Sequence, residues 1–360
     1  MYIKKVTLEN IRGFEKLELD LTRPDGSFAG WTVFTGGNGA GKSTLLKAIA
    51  INLVDFSLVR SLQQNFNGWY HENSHTDKAE ILTSVLPDKN RDLITEGSEK
   101  FYEACYIITQ LVKRNNTTTI GLQQSKGYPS AMANDVGPKI PPKGGWFACG
   151  YGPFRRVFGA SVEATRLMTS PVVERFVTMF QEAASLFEVS QWLRDLNYKA
   201  LEGKTEEKAQ LEMVLEILRD DLLPNQITVD RVDSDGLWLK DRNGIQLTWG
   251  DMSDGYRSVV ALLADILRHM INAFGMQDLT DRGPDGRLFI KPPGIVMIDE
   301  VDAHLHPEWQ REIGFWLKKH FPNIQFLVTT HSPLICQAAD TNGLFVLPEP
   351  GSNESARAYA

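Results

Sequence analysis

A glycine-rich run close to the start of the chain is the feature that most restricts how this sequence can fold. Residues 36–43 read GGNGAGKS and match the spacing G-x-x-x-x-G-K-[ST]. An apolar strand pattern, WTVFT, precedes them, and helical periodicity follows. Glycines let a backbone wrap around phosphates with its N–H groups pointing inward, and the N-terminus of the next helix adds positive dipole. The run therefore predicts a phosphate-binding loop in an α/β domain; the alternative is a glycine-rich turn that happens to precede a helix.

The residues of this loop have separate expected roles. Lys42 is expected to reach the β and γ phosphates as a catalytic group, and the Ser43 hydroxyl is expected to ligate Mg²⁺. On its own the loop indicates only a nucleotide-binding superfamily. The nucleotide contacts predicted in this segment are Gly36, Asn38, Gly39, Ala40, Gly41, Lys42, Ser43 and Thr44.

Composition and charge limit the class of protein. The chain has 360 residues and a formal net charge of −7, so we do not expect it to coat nucleic acid through bulk charge, and any DNA binding must be local. Its three cysteines, Cys105, Cys149 and Cys336, fit neither a disulfide framework nor a zinc site. The N-terminus lacks an apolar signal core, and no run of apolar residues is long enough to span a bilayer. We therefore expect a cytoplasmic protein that is neither exported nor inserted in a membrane.

Changes in periodicity divide the chain into five predicted segments. Alternating strands, the loop and its helix occupy residues 1–56, and a β-rich insertion with an inter-lobe loop follows at 57–156. Residues 157–224 are expected to form a helical subdomain, with three helices over Pro171–Leu223, and residues 225–346 return to the nucleotide-binding lobe before a tail at 347–360. The helical part is too short, and lacks the sustained heptads, for a long coiled coil. The predicted fold class is α/β, with a mixed sheet, an antiparallel β insertion and a short helical lobe.

An apolar strand that ends in two carboxylates lies in the last quarter of the chain. Residues 294–300 read GIVMIDE, which would let Asp299 hold Mg²⁺ and Glu300 polarise an attacking water. The alternative is a buried strand that meets solvent at two acidic residues, and the presence of the glycine-rich loop in the same chain makes it less favoured. His331, just past a later strand, is the predicted sensor of a γ-phosphate. His304 and His306 lack a convincing third ligand, so structural roles are favoured over a metal site.

Four motifs in a fixed order carry a family resemblance. GGNGAGKS, TWGDMSDGYRS, IVMIDEVDAHLHP and VTTHSP together resemble the ABC-type ATPases of the SMC, RecF and OLD class. DEVDAHLHPEWQREI followed by FPNIQFLVTTHSPLI is more similar still to bacterial ATPases of antiphage systems such as Septu. The resemblance covers residues 1–56 and 225–346 and leaves the middle of the chain unmatched. It implies a P-loop NTPase head of the ABC type, with ATP and Mg²⁺ as cofactors.

The resemblance also assigns residues outside the loop. Ser253 and Gly255, in MSDGY, would form the signature that completes the ATP site of a partner protomer; capping of the following helix by Ser253 is compatible with that role. Asp302 would lie in the loop that crosses the dimer interface, and Arg12, in NIRGF, beside the ATP. The inter-lobe glutamine of the family cannot be assigned. The corresponding stretch is GYGPFRR, in which Arg155 is a candidate contact for nucleotide or DNA.

The function that the resemblance implies is a Mg²⁺-dependent ATPase that dimerises on ATP and separates after hydrolysis. It would be a sensor or regulatory subunit in antiphage defence or DNA repair and would control a separate nuclease effector. The expected partners are a second copy in a homodimer or higher oligomer, the nuclease, and DNA as a further candidate, with no membrane. One alternative is the ATPase subunit of a membrane transporter, which MSDGYRS, the HLHP loop and NIRGF disfavour. Another is the ATPase part of an OLD-type nuclease that lacks its TOPRIM domain.

Overall fold

The computed structural model of the protein describes residues 1–54, 56–62, 65–71, 78–88, 105–114, 117–126, 146–155, 171–182, 184–349, 352 and 356–359. Its strands, in chain order, are β1 (Tyr2–Ile11), β2 (Phe14–Asp20), β3 (Gly30–Thr35), β4 (Lys78–Leu86), β5 (Cys105–Arg114), β6 (Thr117–Lys126), β7 (Ala148–Tyr151), β8 (Thr228–Asp233), β9 (Gly236–Lys240), β10 (Gln246–Thr248), β11 (Thr280–Arg282), β12 (Leu288–Ile290), β13 (Gly294–Ile298), β14 (Ile324–Thr329), β15 (Leu344–Val346) and β16 (Arg357–Tyr359). Its helices are α1 (Lys42–Leu53), α2 (Phe56–Val59), α3 (Pro171–Glu174), α4 (Val177–Phe180), α5 (Phe187–Leu201), α6 (Thr205–Arg219), α7 (Asp254–Phe274), α8 (Pro307–His320) and α9 (Pro333–Cys336), with 3-10 turns at Arg60–Leu62 and Trp249–Asp251.

A six-stranded sheet in the order β16-β15-β3-β14-β13-β7 lies at the centre of the fold. The strands from β15 to β7 pair in parallel, and β16 pairs antiparallel at one edge. Helices and the second sheet cover its faces, so β13 (GIVMI) and β14 (IQFLVT) are buried along their whole length and read as near-continuous apolar runs. Because carboxyl ends of parallel strands meet at one edge of a sheet, the segments after β3, β13 and β14 lie side by side.

The second sheet is antiparallel, in the order β2-β1-β4-β5-β6. Helix α1 contacts β4 and β5 of this sheet as well as β7 and β14 of the central sheet, which is why most of its side chains are buried on every side. A buried Asn52 amide fixes the helix to the antiparallel sheet by donating to the carbonyls of Ile81 and Ile107 and to the hydroxyl of Thr83. The loop that begins α1 is therefore held between two rigid layers.

The helical lobe packs on the opposite face of the central sheet. In α6 the buried residues Leu211, Val214, Leu215 and Leu218 follow the spacing of one helical face, and α6 contacts both α5 and α7. Three helices were expected between residues 157 and 224. The described part of that range instead holds two single-turn helices, α3 and α4, before the longer α5 and α6.

The predicted α/β class, with a mixed sheet, an antiparallel sheet and a short helical lobe, is confirmed. The strands of the 57–156 segment go to both sheets, since β4 to β6 extend the β1–β2 hairpin and β7 closes the central sheet. The longest described helix, α7, has 21 residues, and the described residues contain no long coiled coil. Among the residues placed by the structure, no helix has the length and apolar character needed to cross a membrane.

Candidate active site

The glycine-rich loop joins β3 to α1 at the carboxyl edge of the central sheet. Gly39 and Gly41 have φ angles of 81° and 86°, a region that side-chain-bearing residues rarely adopt. A Cβ on Gly41 would also lie 2.4 Å from the Phe14 ring, so both backbone conformation and space require glycine there. Asn38 and Gly39 are exposed at the tip, whereas Ala40 and Thr44 are buried. The loop thus presents main-chain N–H groups at the start of a buried helix.

Lys42 begins α1 and turns back over the loop. Its ammonium donates to the carbonyl oxygens of Gly36 and Gly37, both at 2.9 Å. Burial lowers the pKa of Lys42, and the three carboxylates of Asp299, Glu300 and Asp302 act in the opposite direction. The loop lysine and the acidic residues that follow β13 therefore share one electrostatic neighbourhood.

The two carboxylates predicted after the apolar strand lie where β13 ends. Asp299 is only 2% exposed, and its main-chain N–H donates to the carbonyl of Tyr151 at the end of β7. Glu300 is half-buried and has a φ of 46°, an uncommon left-handed conformation for a residue with a side chain. The chain turns sharply at Glu300, directly beside the end of β14.

Two threonines at the end of β14 hold this turn. The Thr329 hydroxyl donates to a carboxylate oxygen of Asp299 at 2.5 Å and accepts the main-chain N–H of Glu300 at 2.7 Å. The Thr330 hydroxyl donates to Asp302 at 2.5 Å. Neither threonine is among the predicted site residues. The signal that could have found them is a polar pair that ends an apolar strand next to the acidic strand.

The three histidines near these strands have different surroundings. His331 is exposed in the loop after β14, at the same edge as Lys42 and Glu300. The His306 ring accepts the main-chain N–H of Glu308 at the start of α8, which is a capping role. His304 has a φ of 67° in the tight turn before it. Among the described residues, no three histidine, cysteine or acidic side chains are grouped so as to hold a metal ion.

Arg12 lies on the β1–β2 hairpin, close to the loop. Its guanidinium donates to the Thr44 hydroxyl at 3.1 Å and stands 4.9 Å from the centre of the Trp69 ring, so a cation–π contact orients it. A cleft of about 210 Å³ opens between the hairpin and the loop, and Phe14, Lys16, Gly41 and Glu349 are among its lining residues. A nucleotide on the loop would therefore have a cationic neighbour and an adjoining cleft.

The predicted signature residues lie at the start of α7. Ser253 occupies the N-cap position and is exposed, but its side chain makes no capping hydrogen bond. The first N–H groups of a helix lack intrahelical partners, and the helix dipole favours negative charge beside them. A Cβ on Gly255 would lie 2.5 Å from the carbonyl oxygen of His304, so the signature directly touches the loop of Asp302 in the same chain.

Arg155, a candidate contact for nucleotide or DNA, lies inside the protein. Its side chain is 5% exposed and donates to the main-chain carbonyls of Gly152, Asp299 and Glu300. This contact pattern does not present the guanidinium on a surface where DNA could reach it. Its neighbour Arg156 lies outside the described residues.

The residues brought together at this edge fit ATP and Mg²⁺. A hydroxyl from Ser43 and a buried carboxylate from Asp299 are hard oxygen donors, which Mg²⁺ prefers. Left-handed glycines, a helix N-terminus and a lysine supply donors for phosphate oxygens.

Two family models match the chain. The model described as "AAA domain, putative AbiEii toxin, Type IV TA system" matches residues 169–337, and the model described as "AAA domain" matches residues 5–134. The first includes Ser253, Glu300 and His331, and the second includes Arg12 and the whole glycine-rich loop. Neither model covers the residues between 134 and 169, and the predicted site residues lie on both sides of that gap.

Relatives in two defence systems extend the likeness. Septu protein PtuA from Bacillus mycoides (strain KBAB4) is 27% identical over 361 residues, which cover 99% of this chain and 42% of PtuA. The Retron Ec83 probable ATPase from Escherichia coli is 40% identical over 109 residues, which cover 30% of this chain and 18% of that protein. The chain is related to antiphage-defence ATPases. It spans less than half the length of these two relatives.

Solved structures show the type of fold. An SMC head bound to the C-winged helix domain of ScpA superposes with a TM-score of 0.57 at 14% identity and covers 100% of this chain and 98% of its own. The SMC head domain from Thermotoga maritima gives a TM-score of 0.51 at 15% identity, over 99% of this chain and 98% of its own. Identities this low show the fold alone. The chain therefore has the SMC-head type of P-loop ATPase fold, as the resemblance implied.

Proposed function

We propose that this antiphage-defence relative binds ATP with Mg²⁺ at the carboxyl edge of its central sheet and hydrolyses it. The observation that carries the proposal is the arrangement after β13, where Thr329 holds Asp299 and Glu300 next to the loop lysine. A P-loop alone binds nucleotide, but hydrolysis also needs a group that orients and polarises water. A half-buried carboxylate on a rigid turn suits that task.

Each residue contributes a separate part of the reaction. Lys42 contacts the β- and γ-phosphates and stabilises the charge that develops on them during transfer. Glu300 polarises the water that attacks in line, and His331, exposed at the same edge, contacts the γ-phosphate. Bound Mg²⁺, held by Ser43 and Asp299, would neutralise charge on the phosphate oxygens. Arg12, which is held by its hydrogen bond to Thr44, lies beside the bound nucleotide.

A second copy of the chain completes the site. Ser253 lies exposed at the N-terminus of a 21-residue helix with its hydroxyl unused by a cap, which suits a phosphate of a nucleotide bound by a partner protomer. Asp302 lies in the neighbouring loop at the interface. ATP then holds two heads together and hydrolysis releases them, so the nucleotide state sets which surface is available.

The biological role that we propose is a regulatory ATPase subunit in antiphage defence that controls a separate nuclease. The relation to PtuA and to retron ATPases supports this role over that of a transporter motor. Because the chain matches only part of these relatives, the effector and the trigger belong to the proposal. DNA is a candidate trigger, and it would have to act through a local surface given the net charge of −7.

The substitution Glu300→Gln tests the enzymatic part and the dimer together. Loss of the carboxylate is expected to lower the hydrolysis rate roughly 100-fold or more, because general bases contribute at least that much. Nucleotide binding survives, so light scattering should detect an ATP-dependent dimer. Glu312→Gln makes the same charge change on the exposed face of α8 and should behave as wild type.

Two results would contradict this proposal. An unchanged hydrolysis rate in Glu300→Gln would remove Glu300 from its assigned role. A strictly monomeric variant with nucleotide bound would exclude the ATP-bridged dimer. Lys42→Ala serves as the binding control, because ATP affinity that equals that of the wild type in calorimetry would show that the loop is not the phosphate site.

A further inference from the structure

Arg155 is a buried cation at the point where the chain leaves the central sheet. It follows β7, whose last residue, Tyr151, pairs with Ile298 immediately before the two carboxylates. The polypeptide that carries Arg155 therefore runs beside the acidic turn, although the two segments are far apart in sequence.

The guanidinium of Arg155 is surrounded by main-chain oxygens of the acidic turn. One terminal nitrogen donates to the carbonyls of Gly152 at 3.1 Å and Asp299 at 2.8 Å. The other donates to the carbonyls of Glu300 at 2.9 Å and Ala303 at 3.4 Å. Three of these four contacts, to Asp299, Glu300 and Ala303, lie along the turn and come from one rigid, planar fork, a geometry that lysine cannot reproduce.

Burial of this cation has an electrostatic cost that nearby charges partly offset. Burial lowers the pKa of Arg155 to about 10, and Asp299, Asp302 and Glu300 act in the opposite direction. The group therefore remains charged at neutral pH and supplies charge-assisted hydrogen bonds, which are about twice as strong as neutral ones. A buried charge is tolerated here because the carbonyls and carboxylates of the turn surround it.

The turn needs such support because its backbone is in an unfavourable region. Glu300 has a φ of 46° and His304 a φ of 67°, and left-handed residues with side chains cost on the order of 1 kcal/mol each. Thr329 accepts the N–H of Glu300, and Arg155 donates to its carbonyl. The peptide groups on both sides of the Glu300 side chain are thus fixed from two different segments, the end of β14 and the stretch after β7.

We propose that Arg155 is a positioning residue for ATP hydrolysis, which holds the main chain of Asp299 and Glu300 so that the Glu300 carboxylate points at the attacking water. This inference rests on the proposed role of Glu300 and deepens it. Arg155 touches neither nucleotide nor DNA in this role. Its contribution therefore appears in the rate of the chemical step and not in the affinity for nucleotide.

The test compares Arg155→Ala and Arg155→Lys with wild type for kcat, KM and affinity for a slowly hydrolysed ATP analogue. Loss of hydrogen bonds to a charged donor is expected to lower kcat by about 10- to 100-fold in Arg155→Ala. KM and analogue affinity should stay within about twofold, because uniform binding is untouched. Millimolar guanidinium ion should restore part of kcat by entering the space left in Arg155→Ala, and sodium chloride at the same concentration should not.

A matched control separates positioning from a general effect of removing a buried arginine. Arg175 is also 5% exposed, and its guanidinium stands 5.2 Å from the centre of the ring of Phe147, the residue before β7. None of the hydrogen bonds described for Arg175 reaches the acidic turn. Arg175→Ala should lose stability, keep a kcat close to that of the wild type, and show no rescue by guanidinium ion.

The outcomes distinguish this inference from the proposed function. Wild-type kcat in Arg155→Ala, or a loss that appears in KM and analogue affinity alone, would overturn the inference. If Arg155→Ala does not bind the analogue at all, Arg155→Lys decides, and a normal kcat there overturns the inference as well. Guanidinium ion should fail to rescue Arg155→Ala/Glu300→Gln, whereas rescue in that background would show that Arg155 does not act through Glu300. A fully active Glu300→Gln enzyme would instead reject the proposed function itself.

Discussion

Single hydroxyl groups at the end of β14 organise two acidic residues of the site. Thr329 donates to Asp299 and accepts from Glu300, so one side chain links the predicted metal ligand to the predicted base. In the interior such a two-sided contact is strong, because leaving either partner unsatisfied costs about 1–3 kcal/mol. The Asp299 carboxylate and the main chain of Glu300 are thus held by a neighbouring strand, not by the acidic segment alone.

Thr329→Val removes the hydroxyl and retains the shape of the side chain. We expect a destabilisation of about 1–3 kcal/mol and a fall in kcat of at least about tenfold, because Asp299 and the N–H of Glu300 both lose a partner. Urea denaturation and steady-state kinetics measure the two effects. Thr32→Val makes the same change at a buried position of β3 and should not reduce kcat. A Thr329→Val enzyme with wild-type kcat would show that this hydroxyl does not organise the site.

His320, at the end of α8, predicts a pH dependence of stability. Its ring contacts the carbonyl of Leu288 at 3.0 Å and lies 3.2 Å from a carboxylate oxygen of Asp220, yet burial lowers its pKa below the usual value. Between the folded pKa and the unfolded value of about 6.5, the unfolded chain binds more protons, so stability falls as pH drops through that window. His320→Gln should reduce the slope of unfolding free energy against pH below about 6.5. An identical slope in the variant would contradict this assignment.

At the scale of elements, the start of α7 and the loop before α8 form a single contact within one chain. Gly255 leaves room for the His304 carbonyl, and Tyr256 packs edge-on against Trp309 of α8 with ring centres 5.1 Å apart. The surface proposed to bind a partner's nucleotide therefore touches the loop that follows Glu300. A displacement of the start of α7 would therefore also displace the loop before α8, and the reverse.

Gly255→Ala tests this contact, because a close contact would make the substitution lower the free energy of unfolding instead of raising it. Replacing glycine by alanine in a helix usually stabilises by about 0.5–1 kcal/mol, but here the new Cβ would meet a backbone oxygen. We therefore expect a loss of about 1–3 kcal/mol and slower hydrolysis with ATP affinity retained. Gly250→Ala is the control, because its Cβ would have no neighbour closer than 3.7 Å. A stabilised, fully active Gly255→Ala protein would refute a tight contact.

At the scale of the whole molecule, loop and signature lie in one chain but are proposed to serve different nucleotides. Gly41 is the N-cap residue of α1, between the two sheets, and Ser253 is the N-cap residue of α7, which packs against the helices α5 and α6. In a two-fold dimer each site takes the loop of one protomer and the signature of its partner. Activity should then be recoverable by mixing two inactive variants.

Lys42→Ala and Ser253→Arg should each abolish hydrolysis alone and complement each other when mixed. At equal amounts, half the dimers are mixed and each holds one intact site, so about a quarter of wild-type activity should return. In the control, wild type is mixed in equal amounts with Lys42→Ala/Ser253→Arg, and the mixed dimers contain no intact site. Wild-type homodimers alone should then contribute about a quarter of full activity, whereas sites that are not shared between protomers would give about a half. If the two single variants regain nothing together, the signature does not act across a dimer.

The features of this protein that can be predicted without a structure are local. The loop GGNGAGKS, the strand GIVMIDE and a helix over Asp254–Phe274 could be predicted, because glycine spacing and hydrophobic periodicity act over neighbouring residues. The α/β class followed from the same patterns. The short helices before α5 could not be separated, since single turns carry too little periodicity to locate.

The features that could not be predicted depend on contacts between segments that are distant in the sequence. The carbonyls that surround Arg155, the two partners of Thr329 and the oxygen that faces Gly255 all come from other parts of the chain. A sequence shows that an arginine, a threonine or a glycine is present, but hydrogen bonds and close approach depend on which strands become neighbours. That order, with β14 between β3 and β13 and with β7 beside β13, arises when the sheet buries its apolar strands between helices and a second sheet.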